Sequence, residues 1–276
     1  RAANSEQRVI TSLLNVLRSH LIFALFTLFT LSPLIFGCTE PGKPEGDVRP
    51  AAGGKNYGGI YRVNESGELS SMDPPRINDV TSAHICLNVF DNLINFDEDL
   101  QISPELADSF TIAPDGKTYT YHLRTDVFYH DDPCFPDGKG RRFVADDVKF
   151  SFTRVCDFRI GTKAFDYFRN KVVGATEYFE ATREAHRTGA PPSIKSVEGF
   201  RVINDSTFEI RLTEPFAPFE NYPALTGMAI HCREAVEKYG KDVSEHPVGT
   251  GPFRFVSWTP DRELILERNP RYWRVD

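Results

Sequence analysis

Hydrophobic and polar positions along this chain switch between two periods. Over residues 118–124, Tyr119, Tyr121 and Leu123 alternate with Thr120, His122 and Arg124, as in a strand half buried in a sheet. From Ser82 onward, Ile85, Val89, Phe90 and Leu93 fall on one face at helical spacing. A second helix is predicted over residues 145–155. Val148, Phe152 and Val155 share its apolar face, and Asp146 and Asp147 occupy the first turn, where the helix dipole favours negative charge. Residues 200–202 and 207–212 flank Asn204-Asp205 as the arms of a hairpin. Residues 232–239 read as a helix stopped by Gly240. Strands are expected at 58–63, 253–257 and 263–268, and a polar loop broken by Pro74 and Pro75 at 70–79. Strands and helices are mixed without an internal repeat, so the pattern predicts an α/β chain of the mixed α+β kind.

The first fifty residues follow a different logic. Arg8 and Arg18 precede an almost wholly apolar run, 21–36, that ends at Gly37-Cys38. The run is short for a bilayer-spanning helix, which needs about 20 residues, and reads as an export signal over 1–37. A retained membrane anchor is the alternative. Ile35-Phe36-Gly37-Cys38 resembles a lipobox, so Cys38 is the expected lipidation position. Residues 38–56, rich in Pro, Gly and charge, read as a tether.

Composition narrows the function. A formal net charge of −7, with both signs scattered and no basic stripe, argues against a nucleic-acid partner. An exported chain can form disulfides, and Cys134 with Cys156 is the candidate pair, whereas Cys86 reads as a buried thiol. No C-x-x-C pair is present, so no structural metal is expected. His130-Asp131-Asp132-Pro133-Cys134 gathers metal-ligand types, but adjacent residues rarely aim at one centre, and a turn is the simpler reading. No G-x-S-x-G or other nucleophile context appears, and no glycine cluster is followed by Lys-Ser/Thr. Neither an enzyme nor a cofactor is expected.

Several motifs keep one order. Ser71-Met-Asp-Pro74, Val89-Phe-Asp-Asn-Leu93, Pro104-Glu-Leu-Ala-Asp-Ser-Phe110, Asp115-Gly-Lys-Thr-Tyr-Thr-Tyr-His-Leu-Arg124, Phe143-Val-Ala-Asp-Asp-Val-Lys-Phe-Ser-Phe152, Pro247-Val-Gly-Thr-Gly-Pro-Phe253 and Leu266-Glu-Arg-Asn-Pro-Arg-Tyr-Trp273 follow one another. Over residues 57–276 this series resembles the peptide/nickel class of bacterial extracellular solute-binding proteins. Val144 stands where that family has a capping Thr.

The resemblance implies a periplasmic-binding-protein-like two-lobe fold of the class II peptide-binding type, here without its third domain. Lobe I would comprise 51–94 and 213–276, and lobe II 95–212. It further implies a monomeric, membrane-anchored lipoprotein on the periplasmic or extracytoplasmic side, delivering peptide to ABC permease subunits. Cleft contacts are expected from Met72, Asp73, Arg76, Ile77, Asn78 and Asp79, with Tyr167 and Phe168 from lobe II. The alternatives are another solute on the same scaffold (a nickel chelate, haem or a sugar) and a surface receptor without transport.

Overall fold

The computed structural model describes residues 48–274 apart from 51 and 55. The expected signal, Cys38 and most of the tether lie outside the described residues. The chain divides into two compact units, residues 1–64 and 65–276. In the first, β1 (Arg49–Pro50) pairs antiparallel with β2 (Asn56–Tyr57), so the end of the span read as tether carries a small ladder. The strand expected at 58–63 does not form. Those residues join no sheet among the described residues, and Tyr61 is 91% exposed. Alternating side chains do not make a strand without a neighbour to accept its hydrogen bonds.

The second unit is built on four antiparallel strands in the order β5-β6-β8-β7: Ala107–Ile112, Thr118–Leu123, Thr207–Arg211 and Phe200–Asn204. Register explains the burial. Tyr121 of β6 sits opposite Phe110 on one side and Phe208 on the other, and Tyr119 opposite Ile210. One face of the sheet therefore carries a block of aromatic and branched side chains.

Helix α2 (Ala145–Val155) covers that face, following α1 (Val80–Val89) in the chain. Its Phe152 meets Phe168, Phe200 and Phe208, ring centroids 5.3–6.1 Å apart. Val144 offers no cap, yet the helix start is held. Asp147 accepts from the Val144 amide at 3.0 Å and from the Arg141 fork at 2.7 and 2.9 Å. Arg141 also grips Glu234 of α4 (Arg233–Tyr239). Helix α3 (Ala175–Thr188), flanked by Gly174 and Gly189, is an element for which the sequence pattern gave no expectation.

Two smaller ladders complete the unit: β3 (Ile94–Phe96) with β4 (Ile102–Pro104), and β9 (Phe253–Thr259) with β10 (Glu263–Arg268). Phe255, Trp258, Leu264 and Leu266 from the latter pack on a second cluster around Met72, Cys86, Val89 and Phe90. Gly249 lets the chain pass against the end of α1. A Cβ there would fall 2.0 Å from the Val89 carbonyl oxygen, which is rigid backbone. The lobe boundaries expected at 94/95 and 212/213 fall inside this unit, whose main core joins Leu93 and Ile94 to Phe152, Phe208, Phe219 and Ile230.

Candidate functional site

The polar loop at 70–79 has an inner and an outer half. Met72 and Asp73 are 1% and 2% exposed, and the Met72 amide donates to the Ser244 carbonyl. Asp73 receives both arms of Arg154 at 2.9 Å, a bidentate fork sealed from water. Burial alone would raise the Asp73 pKa, but the hydrogen bonds and charge of Arg154 outweigh it and hold the carboxyl below its usual range. Arg154 also lies 2.7 Å from His231 Nε2, and Ser151 Oγ bridges the two elements by accepting from the His231 amide.

The far end of the loop is equally committed. Asp79 caps α1, accepting from the Ser82 amide and hydroxyl at 2.7 Å and from the Ser70 hydroxyl. Between these anchors lie Arg76, Ile77 and Asn78. Asn78 is exposed, and Arg76 and Ile77 are half-buried. Arg76 Nε approaches Asp73 Oδ2 at 3.5 Å without a hydrogen bond. The cavity against the loop's inner side is about 10 Å³, room for no more than a water.

A second segment comes close. A Cβ added at Gly227 would lie 3.1 Å from Ala164 Cβ and 3.9 Å from the Pro74 carbonyl oxygen. The loop and the turn Ala164–Tyr167 thus meet across Gly227. Tyr167 is 39% exposed and leans on Tyr222, ring centroids 4.9 Å apart.

Met72 is a core residue, Asp73 is enclosed with Arg154, Asp79 has its carboxylate filled by α1, and Phe168 has no exposed surface. Arg76, Ile77, Asn78 and Tyr167, by contrast, keep partly or fully exposed side chains. The sequence reading missed Arg154 and His231. A signal existed for the first: Asp147, Ser151 and Arg154 stand at i, i+4 and i+7, a polar stripe along α2 that is buried.

The segment rich in metal-ligand types is spread apart. His130 Nε2 contacts the Gly251 carbonyl at 2.9 Å, Asp131 pairs with Lys139 and Arg271, and Asp132 accepts from Cys134 N and Tyr239 Oη. The expected Cys134–Cys156 bridge is absent. Both thiols are free, and Cys156 is wholly buried at the end of α2. Cys134 packs instead on the core that contains Cys232, whose sulfur raises the Cys134 thiol above its ordinary value.

The structural relatives of this fold are two-lobe peptide-binding proteins. The substrate-binding domain of an oligopeptide ABC transporter from Bacillus anthracis superposes with a TM-score of 0.64 at 23% identity, over 76% of this chain and 38% of that one. The periplasmic binding protein DppA from Helicobacter pylori, in complex with the peptide STSA, gives 0.57 at 32% identity, over 75% and 38%. The glutathione-binding protein GsiB of Pectobacterium atrosepticum is 30% identical over 207 residues, 75% of this chain and 34% of that protein. The chain belongs to the bacterial extracellular solute-binding proteins, family 5, whose middle-region model matches residues 101–276. It spans about a third of the length of the curated relatives it matches.

Proposed function

We propose that this chain is the leading part of the solute-binding component of an ABC importer, that its ligand is a peptide (an oligopeptide or a dipeptide), and that it acts as a binder and not as a catalyst. The observation that carries the reading is the divided loop: Asp73 and Asp79 fix its ends, and Arg76, Ile77 and Asn78 are left between them beside the turn that bears Tyr167. Relatives that take glutathione or the peptide STSA make a peptide the natural solute. An extended peptide would pair its main chain with protein backbone, so that affinity depends little on side-chain identity. Residues 51–94 and 213–276 would act as one lobe and 95–212 as the other. Closure over the ligand by the remainder of the protein would create the form that permease subunits recognise.

In this reading the mature protein is a monomer held to the outer face of a membrane by lipid on Cys38. Calorimetry on the full-length protein tests the solute, with dipeptides, glutathione and longer peptides set against a nickel chelate, haem and a sugar. Heat from peptides alone supports the proposal, and heat only from one of the other three overturns it. Incorporation of labelled fatty acid, lost in Cys38→Ala, tests the anchor.

A further inference from the structure

Cys134 and Cys232 come from segments 98 positions apart, yet polar contacts on both sides lock those segments together. The loop before Cys134 is tied to α4 by Lys238 Nζ on the Pro133 carbonyl and by Tyr239 Oη on Asp132 Oδ1, each at 2.7 Å. The far side of the same loop is tied by Arg141 to Glu234. Cys232 stands at the N-cap of α4 and is completely enclosed; Cys134 is half-buried and packs on the core that contains Cys232. Cys86 belongs to a different cluster.

We infer that Cys134 and Cys232 form a disulfide once the protein has been exported, stapling the loop at 130–142 to the start of α4. The family is extracellular, and thiols in that setting meet oxidised dithiols and small disulfides. The Cys134 thiolate attacks a sulfur of such a disulfide and expels one thiol, forming a mixed disulfide. The Cys232 thiolate then attacks Cys134 Sγ and expels the second thiol. Two protein thiols and one external disulfide become one protein disulfide and two external thiols, so protons and electrons balance.

Exposure sets the order, since the oxidant can reach Cys134 but not Cys232. The Cys232 sulfur and burial both raise the Cys134 thiol above its ordinary value, so thiolate is scarce at neutral pH and uncatalysed exchange is slow.

The test uses the reduced full-length protein, oxidised glutathione as the probe, and a pH near 8.5, about that of an ordinary thiol. Alkylation followed by digestion without reductant is expected to give one linked pair of peptides, carrying Cys134 and Cys232, with the mass loss of two hydrogens. Thermal unfolding of the oxidised form is expected roughly 5–15 °C above the reduced form, because the closed loop is long. Cys134→Ser, at the half-buried partner, is expected to remove both the linked pair and the shift. The inference is overturned if Cys134 is found joined to Cys156 or if both Cys134 and Cys232 stay alkylatable after oxidation. It is likewise overturned if the melting shift persists in Cys134→Ser.

Discussion

Arg154 Nη1 lies 2.7 Å from Nε2 of His231, and that contact fixes the state of the imidazole. A guanidinium keeps its protons and has no lone pair to offer, so Arg154 donates and Nε2 accepts. The ring's single proton then sits on Nδ1, 3.3 Å from the Ala229 carbonyl. Burial first, and the Arg154 charge second, push the His231 pKa down to about 3.

A sensitivity to acid follows. An unfolded histidine titrates near 6.5, so on acidification the unfolded chain takes up a proton that the folded chain refuses. The stability carried by neutral His231 is whole above about pH 6.5 and drains as the pH falls toward 3, by about 5 kcal/mol at most. Asp73, held below its usual value of 3.8, loses stability in the same direction at still lower pH. Denaturant melts of the full-length protein between pH 7.5 and 4.5 check this. His231→Gln keeps an acceptor for Arg154 and does not titrate, so its stability is expected to fall less steeply. Equal slopes for the two proteins would sink the assignment.

Removing one partner of the buried fork is expected to cost more than removing both. Arg154→Met leaves the Asp73 carboxylate enclosed without a counter-charge, a loss of about 3–5 kcal/mol. Adding Asp73→Asn takes that charge away and restores part of the loss. Urea midpoints for the two single variants and the double variant give the coupling. A double variant as unstable as the sum of the singles would mean that the fork does not hold the loop.

A second pair of acids works in the alkaline direction. Asp91 is enclosed by Thr250, Tyr272 and Trp273, and Glu105 accepts from the Asn92 amide and Asn95 Nδ2. Burial, then the charge of Asp91, raise the Glu105 pKa to about 8. The folded chain therefore binds a proton that the unfolded chain releases near 4.5. Stability from this group is complete below about 4.5 and is lost as the pH rises through 8. Glu105→Gln is expected to cost about 1 kcal/mol at pH 5, from one donor left unpaired, and to lose less than the parent between pH 6 and 9. Thermal melts at those three pH values decide it.

Much of the frame is legible in the sequence because local and long-range forces agree there. Helix α2 runs over the residues its pattern predicts, 145–155, since Phe152 and Val148 have a sheet to cover. The hairpin Phe200–Asn204 with Thr207–Arg211 forms about its Asn204-Asp205 signal, and Gly240 ends α4. The site was harder to read for a physical reason: polar types in a proline-broken loop look alike whether they face water or a buried partner. Asp73 and Arg154 are 81 positions apart, and nothing local marks them as a pair. The same holds for Cys134, which packs on the core that contains Cys232, the cap of a helix met much later in the chain. Helix α3 had a readable signature, Tyr178, Ala181 and Ala185 between two glycines, and its apolar face is merely small.

The division of the loop gives the sharpest functional contrast. If the outer residues meet the solute, Ile77→Ala and Tyr167→Ala should each weaken peptide binding by the full-length protein about tenfold, a loss of roughly 1.4 kcal/mol. Both side chains are partly exposed, so stability is expected to stay within about 1 kcal/mol of the parent. Phe168→Ala should behave in the opposite way. Its ring fills the space between Phe152, Phe200 and Phe219, and the hole costs about 3–5 kcal/mol of stability. Peptide affinity of the molecules that remain folded should be unchanged. Calorimetric titration beside denaturant melts, on the same three variants, separates the two effects. Unaltered affinity in both Ile77→Ala and Tyr167→Ala would remove the outer half of the loop from the binding surface, whatever the solute.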